Sequence, residues 1–188
     1  MQARVYKSTG SWYTLKTLSG EIFNARMKGV FKIDNITSTN PIAVGDIVDI
    51  EVEDKAEKIA TITSIHDRNN YIARSSPHNK KQHHIVASNI DQCLLLATLK
   101  EPKTSQGFID RCIVAAESFH IPAIIVFNKA DIYKQKEWDT FENLKSIYTS
   151  IGYAIYVMSL KNNEGIDVIK DLLTDKTTLF FGHSGVGK

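Results

Sequence analysis

The chain has 188 residues, of which 43% are hydrophobic and 23% charged, and its formal net charge is +2. This length accommodates one ordinary domain or two small ones with a buried core, and the composition is that of a soluble globular protein. No apolar run approaches the roughly 20 residues of a membrane helix, and no apolar stretch follows the N-terminal charges, which argues against a secretory signal. Cys93 and Cys112 lie in apolar segments at a spacing that suits neither a disulfide framework nor a metal site, so we interpret them as buried thiols in a reducing compartment.

The small net charge conceals an uneven distribution along the first 81 residues. Residues 4–32 carry six Lys/Arg and one acid, residues 34–57 carry seven acids and one Lys, and residues 58–81 carry five Lys/Arg and one acid. Such blocks can give a small domain one basic and one acidic face, which would suit a nucleic-acid partner. They can equally be solvated strand faces without a function, and both interpretations stay open.

Residues 1–72 are predicted to form a small all-β barrel of the OB or SH3-like kind. Alternating and β-branched stretches predict strands, and Ser19-Gly20 is a plausible hairpin turn between two of them. The predicted strands are Trp12–Leu18, Glu21–Lys28, Ile47–Glu53 and Lys58–Ile65.

Residues 73–84 are predicted to be a linker between two domains. The segment 75–84, SSPHNKKQHH, is polar, contains a proline and has no periodicity. His78, His83 and His84 could be considered a metal site, but no carboxylate or Cys accompanies them, and a solvated linker is the better interpretation.

From residue 85 to residue 188 the pattern alternates between strands and helices, which predicts an open parallel α/β sheet. Continuous apolar runs predict buried strands at Cys93–Leu99, Ala123–Phe127, Ala154–Met158 and Thr178–Phe181. Apolar residues at helical spacing predict a helix after each of the first three strands. Ligands of such sheets bind at the carboxyl ends of the strands, and each motif described below lies at one of those ends.

The strongest motif is the sequence GHSGVGK at residues 182–188, which follows a predicted strand and fits the phosphate-loop pattern GxxxxGK. Glycines let the backbone curl so that successive N–H groups converge on phosphate oxygens, and the Lys188 ammonium would lie against the β- and γ-phosphates. An ordinary glycine-rich turn is the alternative. His183 lies beside the phosphates, but many residues are tolerated there, and no catalytic residue is identified. The predicted phosphate-binding residues are Gly182, His183, Ser184, Gly185, Val186, Gly187 and Lys188.

A second motif, NKAD at residues 128–131, matches the NKxD element of GTPases. The Asp131 carboxylate can accept hydrogen bonds from the ring N–H and the exocyclic amine of guanine, whereas adenine would leave it unsatisfied. Asn128 would tie this loop to the phosphate loop, and the Lys129 stem would cover one face of the base. A solvated turn is the alternative. The predicted guanine-binding residues of this motif are Asn128, Lys129, Ala130 and Asp131.

The third motif and the order of all three indicate a circular permutation. Ser159, Leu160 and Lys161 resemble the SAK element whose backbone N–H contacts the guanine carbonyl oxygen, although Leu160 replaces the usual Ala. Ordinary GTPases have the phosphate loop first, then NKxD and then SAK, whereas here the phosphate loop comes last. A parallel sheet keeps its sites in space when the old termini are joined and the chain is reopened elsewhere.

These motifs resemble those of the RsgA (YjeQ/EngC) family of bacterial GTPases, which assist maturation of the small ribosomal subunit. The resemblance covers essentially the whole chain and includes Val44-Gly45-Asp46, Asn89-Ile90-Asp91-Gln92 and Ile109-Asp110-Arg111. It implies an N-terminal OB-fold that contacts ribosomal RNA, a permuted GTPase domain that binds GTP or GDP with Mg²⁺, and a C-terminal zinc-binding segment. It also implies a cytoplasmic bacterial protein that is monomeric and has no DNA or membrane partner.

The chain departs from the family pattern at its C-terminal end. The Ser or Thr that binds Mg²⁺, the switch Thr, the DxxG element and the zinc-binding segment are not among the 188 residues. We therefore expect the natural gene product to continue, and this chain alone to be an incomplete and inactive fragment. No metal ligand is identified within it, and Zn²⁺ is expected only in the further segment.

Two other functions compete with that of a ribosome-assembly GTPase. An ATP-using kinase or ATPase is suggested by the phosphate loop alone, but NKxD argues against it. An RNA-binding module with a vestigial nucleotide site would bind RNA through residues 1–75 and be indifferent to nucleotide. The intact glycines of the phosphate loop and Lys188 favour the GTPase.

Overall fold

A computed structural model describes residues 1–28, 41–75 and 83–188. The described chain separates into two compact units, Met1–Asn89 and Ile90–Lys188. Each unit has its own cluster of buried hydrophobic side chains. Within the described ranges, no helix combines the length and the apolar character needed to cross a bilayer.

The first unit contains a closed five-stranded barrel. Around the barrel the strand order is β1-β2-β3-β5-β4; β3 and β5 run parallel and the other neighbours antiparallel. This confirms the predicted OB-like barrel. Its strands are β1 (Gln2–Thr9), β2 (Trp12–Thr17), β3 (Ile22–Met27), β4 (Ile47–Asp54) and β5 (Ile59–Ile65).

Strand β1 was missing from the sequence prediction. Only Ala3 and Val5 of its eight residues are buried, and a bulge between Val5 and Lys7 interrupts its alternation. A half-exposed strand with a bulge gives too short an apolar pattern for recognition. In the folded barrel, Val5 packs with inward-facing residues of the other strands, among them Leu15 and Phe23, all of them nearly inaccessible to solvent.

Both ends of the predicted linker 73–84 are strand in the structure. β6 (Tyr71–Ser75) pairs antiparallel with β7 (His83–Ser88), and residues 76–82, with His78, lie outside the described part of the chain. The polar sequence of residues 75–84 gave the segment its linker-like composition, although backbone pairing of the described strands needs no apolar side chains. The division between the two compact units lies beyond β7.

A buried carboxylate joins the hairpin to the barrel. The side chain of Asp46 is inaccessible to solvent and accepts hydrogen bonds from Arg68 Nε and Nη2, both at 2.6 Å. It also accepts bonds from Ser88 Oγ at 2.5 Å and from the backbone N–H of Ala43 at 2.8 Å. Gly45 lets the loop that carries Asp46 lie close to the Ser88 backbone, since a Cβ at Gly45 would lie 2.0 Å from the Ser88 carbonyl oxygen. The Val44-Gly45-Asp46 motif therefore has a structural role within the first unit.

The second unit is a four-stranded parallel sheet flanked by helices, as predicted. The strand order is β10-β9-β8-β11, and every neighbouring pair runs parallel. The strands are β8 (Gln92–Ala97), β9 (Ala123–Phe127), β10 (Ala154–Val157) and β11 (Thr178–Phe181); the helices are α1 (Gln106–Ser118), α2 (Gln135–Ser150) and α3 (Ile166–Leu173).

Each face of this sheet has its own core, because successive strand residues point to opposite faces. Leu95 and Ala97 of β8 pack with residues of α1 and α2, whereas Leu94 and Leu96 pack with Ile169 of α3. This explains why β8 is apolar from Cys93 to Ala97, with every residue of the strand buried. The two helices on the first face are also joined by a hydrogen bond of 2.8 Å from Tyr148 Oη to the Asp110 carboxylate.

Candidate functional site

The three predicted motifs meet at the carboxyl edge of the parallel sheet. NKAD follows β9, Ser159-Leu160-Lys161 follows β10, and the phosphate loop 182–188 follows β11. β8 separates β9 from β11 in the sheet, so the loops after these two strands must reach across the end of β8 to touch. They do touch, through Asn128 and the phosphate loop.

The phosphate loop is fixed to the core on one side and curls back on itself on the other. Val186 is fully buried and packs in the α3-side core beside Leu96. The Lys188 ammonium donates hydrogen bonds to the carbonyl oxygens of Gly182 at 2.9 Å and His183 at 2.7 Å, which closes the loop around it. Gly182 has to be glycine, because its φ is +148° and a Cβ would lie 2.4 Å from the Leu96 carbonyl oxygen.

Asn128 joins all three loops. Its side chain is 2% exposed; Nδ2 donates to the Val186 carbonyl oxygen at 2.9 Å, and Oδ1 accepts from the backbone N–H of Leu160 at 3.4 Å. Gly187 lies directly against it, with φ at +94° and an added Cβ only 2.4 Å from Asn128 Nδ2. Hydrogen bonds and packing therefore join the phosphate loop to the loops that follow β9 and β10.

The Asp131 carboxylate is held in a fixed orientation at this edge. Its side chain is 10% exposed, and Oδ1 accepts a hydrogen bond of 2.7 Å from Ser159 Oγ. Ser159 is fully buried and is held in turn by the backbone N–H of Asn162, which donates to its Oγ at 3.2 Å. Lys161 Nζ lies 3.9 Å from Oδ2, but the Lys161 side chain is 79% exposed and this ion pair adds little. The SAK-like motif predicted only a backbone contact from this loop, and the role of the Ser159 side chain was not predicted.

Lys129 and Ala130 set the path of the NKAD loop. Lys129 adopts a left-handed conformation, with φ at +66°, and Nζ donates to the Glu101 carbonyl oxygen at 2.5 Å. The Ala130 backbone N–H donates to the Met158 carbonyl oxygen at 3.1 Å, which ties this loop to the end of β10. The loop between β8 and α1 also reaches the phosphate loop, since a Cβ on Gly185 would lie 3.5 Å from Pro102 Cδ. No sequence motif indicated this loop.

The His183 side chain packs against helix α1. Its ring stacks on that of Phe108 with the centroids 3.8 Å apart and the planes inclined by 29°. Phe108 is itself partly buried against the core. This packing contact gives the histidine a structural role within the second unit. Ser184, the next residue of the phosphate loop, is exposed.

Tyr133 supports the NKAD loop from below and was not singled out by the sequence. Its hydroxyl donates to the Asn128 carbonyl oxygen at 2.7 Å and accepts from the Leu99 backbone N–H at 3.0 Å. The side chain is nearly buried, and burial raises the pKa of Tyr133 to about 12. An aromatic residue two positions after the NKxD aspartate is the signal that could have revealed it.

Replacing Tyr133 by Phe is expected to destabilise the second unit by about 1–3 kcal/mol, because a buried N–H and a buried carbonyl lose their partner. The measurement is urea unfolding at neutral pH. Since the folded pKa lies above the unfolded value, the Tyr133 contribution is complete below about pH 10 and is lost as the pH rises towards 12. The difference in unfolding free energy between wild type and Y133F should therefore narrow as the pH rises from about 10 towards 12. Tyr153→Phe, which removes an exposed hydrogen bond to Glu117, is the control; an equal loss in both variants would contradict the role of Tyr133.

Among the residues that the structure describes, no group of three or more His, Cys, Asp or Glu side chains is arranged to hold a metal ion. Both cysteines are free. Burial raises the pKa of the Cys93 thiol to about 12, and that of Cys112 also lies above its ordinary value for the same reason.

A closed OB-like barrel followed by a parallel sheet that carries NKxD, a SAK-like loop and then a phosphate loop defines the circularly permuted GTPase fold. The chain belongs to the RsgA GTPase family, whose model matches residues 65–188; the model of the RsgA N-terminal domain matches residues 2–60.

Individual relatives agree with this assignment. The chain is 50% identical to the small ribosomal subunit biogenesis GTPase RsgA of Flavobacterium johnsoniae and 45% identical to that of Cytophaga hutchinsonii; it is covered completely and spans 58% and 61% of those proteins. Among solved structures, YjeQ from Thermotoga maritima matches the whole chain with a TM-score of 0.80 at 29% identity, over 62% of its own length. YloQ, described as a circularly permuted GTPase, matches 99% of the chain with a TM-score of 0.74 at 29% identity, over 61% of its length. The chain therefore spans about 60% of the relatives that it matches.

Proposed function

We propose that this chain is the guanine-nucleotide-binding part of a GTPase that acts in late maturation of the small ribosomal subunit. The observation that carries the proposal is the connected edge at which Asn128 bonds the phosphate loop at 2.9 Å while Ser159 holds the Asp131 carboxylate at 2.7 Å. A base recognised by Asp131 and phosphates held by residues 182–188 would thus belong to one ligand.

The residues at this edge suit GTP and GDP. Asp131 would accept from the ring N–H and the exocyclic amine of guanine, and Lys129 would cover one face of the base. The backbone N–H groups of residues 182–188 would converge on the phosphate oxygens, and Lys188, which now donates to two loop carbonyls, would turn its ammonium to the β- and γ-phosphates. Mg²⁺ accompanying the nucleotide would neutralise charge that develops on the phosphate oxygens.

The ribosomal partner is supported by the family membership and by the barrel. The relatives from Flavobacterium and Cytophaga are described as biogenesis GTPases of the small ribosomal subunit. OB barrels commonly bind oligonucleotides, so we propose that the first unit contacts ribosomal RNA. The nucleotide state of the second unit would then control how tightly the protein holds the subunit.

Steady-state GTP hydrolysis by the gene-encoded protein, with and without purified small ribosomal subunits, tests this function. We expect the subunits to stimulate hydrolysis strongly and ATP to compete poorly with GTP. A rate that the subunits leave unchanged would refute the ribosomal assignment. Equal competition by ATP would refute the guanine assignment, and RNA binding that ignores the nucleotide would favour an RNA-binding module with a vestigial site.

Lys188→Ala is expected to weaken GTP binding by about 10- to 100-fold, because the loop loses the ammonium that would contact the β- and γ-phosphates. The preference for GTP over ATP should not change, since the base-side loops are untouched. Competition binding with both nucleotides measures the two effects. Lys176→Ala, at the amino end of β11, is the matched control and should bind like the wild type. A change in base preference in K188A would contradict the assigned role.

A further inference from the structure

The side chain of Leu160 is an exposed apolar group at the carboxyl edge of the parallel sheet. Leu160 is 48% exposed, whereas Ser159 before it is fully buried. A Cβ on Gly187 would lie 3.4 Å from Leu160 Cδ1, so this methyl group lies against the backbone of the phosphate loop. The side chain therefore fills space between the loop after β10 and the phosphate loop. The contacts proposed for Asp131 and Lys188 with the nucleotide do not involve it.

The backbone of Leu160 indicates which edge of a bound guanine its side chain would meet. Ser159 Oγ holds Asp131 Oδ1 at 2.7 Å, so Leu160 directly follows the residue that orients this carboxylate. On guanine, the carbonyl oxygen O6 lies beside the ring N–H that Asp131 would accept from, and O6 needs a donor. The Leu160 backbone N–H can supply it, because its bond to Asn128 Oδ1 measures 3.4 Å and is longer than the ordinary range for such bonds. A guanine bound to Asp131 would therefore present O6 to Leu160.

From there the Leu160 side chain would follow the edge of the purine towards ring position 7. Around the ring from the N–H at position 1, the next groups are O6 and then the nitrogen at position 7. The contacts at the sheet edge run in the same order, from Asp131 through Leu160 to Gly187. Gly187 is itself packed against Asn128, since an added Cβ would lie 2.4 Å from Asn128 Nδ2. The Leu160 methyl group thus has little room to retreat from a substituent at position 7.

We propose that Leu160 is a specificity-determining residue that closes the edge of the guanine site from O6 to position 7. Its side chain packs against this edge, excludes water from the hydrogen bond to O6 and rejects purines with a bulky group at position 7. Excluding water strengthens such a hydrogen bond, and the leucine gains burial when the base is bound. The inference deepens the proposed binding of guanine nucleotides, on which it rests. It assigns to Leu160 a discrimination that Asp131 cannot make, because Asp131 would meet a different edge of the base.

Two analogues of GTP isolate this discrimination. 7-Deaza-GTP and 7-iodo-7-deaza-GTP share their hydrogen-bonding groups and differ only in the substituent at position 7. We expect the gene-encoded wild-type protein to bind the iodo compound about 5- to 150-fold more weakly than 7-deaza-GTP, the effect of overpacking a filled space. In Leu160→Ala the two affinities should agree to within about threefold, because truncation at the β-carbon makes room for the iodine. Leu160→Ile conserves the volume and should keep the discrimination.

The natural nucleotides provide a second measurement on the same variant. Leu160→Ala should weaken GTP and GDP binding equally, by about 3- to 10-fold, because the side chain would contact the base and not the phosphates. The matched control is Val168→Ala on α3, since Val168 is also 48% exposed and should tolerate truncation without any change in nucleotide binding. A clearly larger loss for GTP than for GDP would place Leu160 at the phosphates and overturn the inference.

The inference would also be overturned if the wild type bound both analogues equally, or if L160A kept the full discrimination against iodine. Competition between GTP and ATP tests the parent proposal separately. A preference for GTP can persist when discrimination at position 7 fails, and then only the role of Leu160 is refuted. Equal competition by ATP would refute the guanine assignment itself, whatever the affinity for the iodo compound.

Discussion

Asp131→Asn is expected to lower the affinity for GTP by about 10²- to 10⁴-fold and to shift the preference towards xanthosine triphosphate. The carboxylate would accept two charge-assisted hydrogen bonds from guanine, each contributing about 1.5–3 kcal/mol. An amide nitrogen at the same place would donate towards groups of guanine that also donate, whereas xanthine offers a carbonyl in place of the amine. Because Ser159 already fixes Oδ1 at 2.7 Å, the orientation of residue 131 should survive the substitution.

Competition binding of GTP, inosine triphosphate and xanthosine triphosphate to the gene-encoded protein measures this shift. Inosine lacks only the exocyclic amine, so the wild type should bind it more weakly than GTP by the equivalent of one hydrogen bond, about 10- to 150-fold. The matched control is Asp167→Asn, because Asp167 is 93% exposed and its ion-pair partner lies in its own helix, at Lys170. Retention of GTP affinity in D131N would show that another group recognises the base.

The difference between what sequence and structure reveal is clearest at this site. Asn128, Asp131 and the phosphate loop could be predicted because their spacing follows from the chemistry of one ligand. For Tyr133 the sequence offers a position, two residues after Asp131, but not the role, because its hydroxyl bonds the Leu99 backbone, 34 residues away along the chain. The same is true of the contact between Lys129 and Glu101, since a backbone carbonyl carries no signature in the sequence.

Some strands of the first unit also could not be recognised from the sequence alone. The strands of the second unit were predictable because burial on both faces gives them continuous apolar runs, as in residues 93–97 of β8. In β1, outward-facing Arg4, Tyr6 and Lys7 dilute the pattern, and the strand is specified by its pairing with β2 and β4. The ends of the predicted linker were not recognised as parts of β6 and β7 for a related reason: backbone pairing and the hydrogen bond between Ser88 and Asp46 hold these strands, and neither depends on an apolar repeat.

Asp46→Ala is expected to destabilise the first unit by about 3–5 kcal/mol, the cost of removing one partner from a buried ion pair. The Arg68 side chain is 9% exposed and would keep its charge without the carboxylate, while Ser88 Oγ would lose its acceptor. Urea unfolding followed by Trp12 fluorescence in the Trp138→Phe background isolates this unit, because Trp12 is the only tryptophan in residues 1–89. Asp49→Ala is the control, since Asp49 bonds Ser64 and His66 at the surface and its loss should cost less than 1 kcal/mol.

A double-mutant cycle separates the Asp46–Arg68 ion pair from the hydrogen bonds that Asp46 accepts from Ser88 and Ala43. Arg68→Ala alone leaves the Asp46 carboxylate buried with Ser88 and Ala43 as its remaining donors, so it should also destabilise the unit strongly. The double variant should lose clearly less unfolding free energy than the sum of the two single-variant losses, because no uncompensated charge remains. Additive losses would mean that the two residues act independently and would contradict the coupling seen in the 2.6 Å contacts. Coupling would instead show that Asp46 and Arg68 act together as an ion pair that stabilises the first unit.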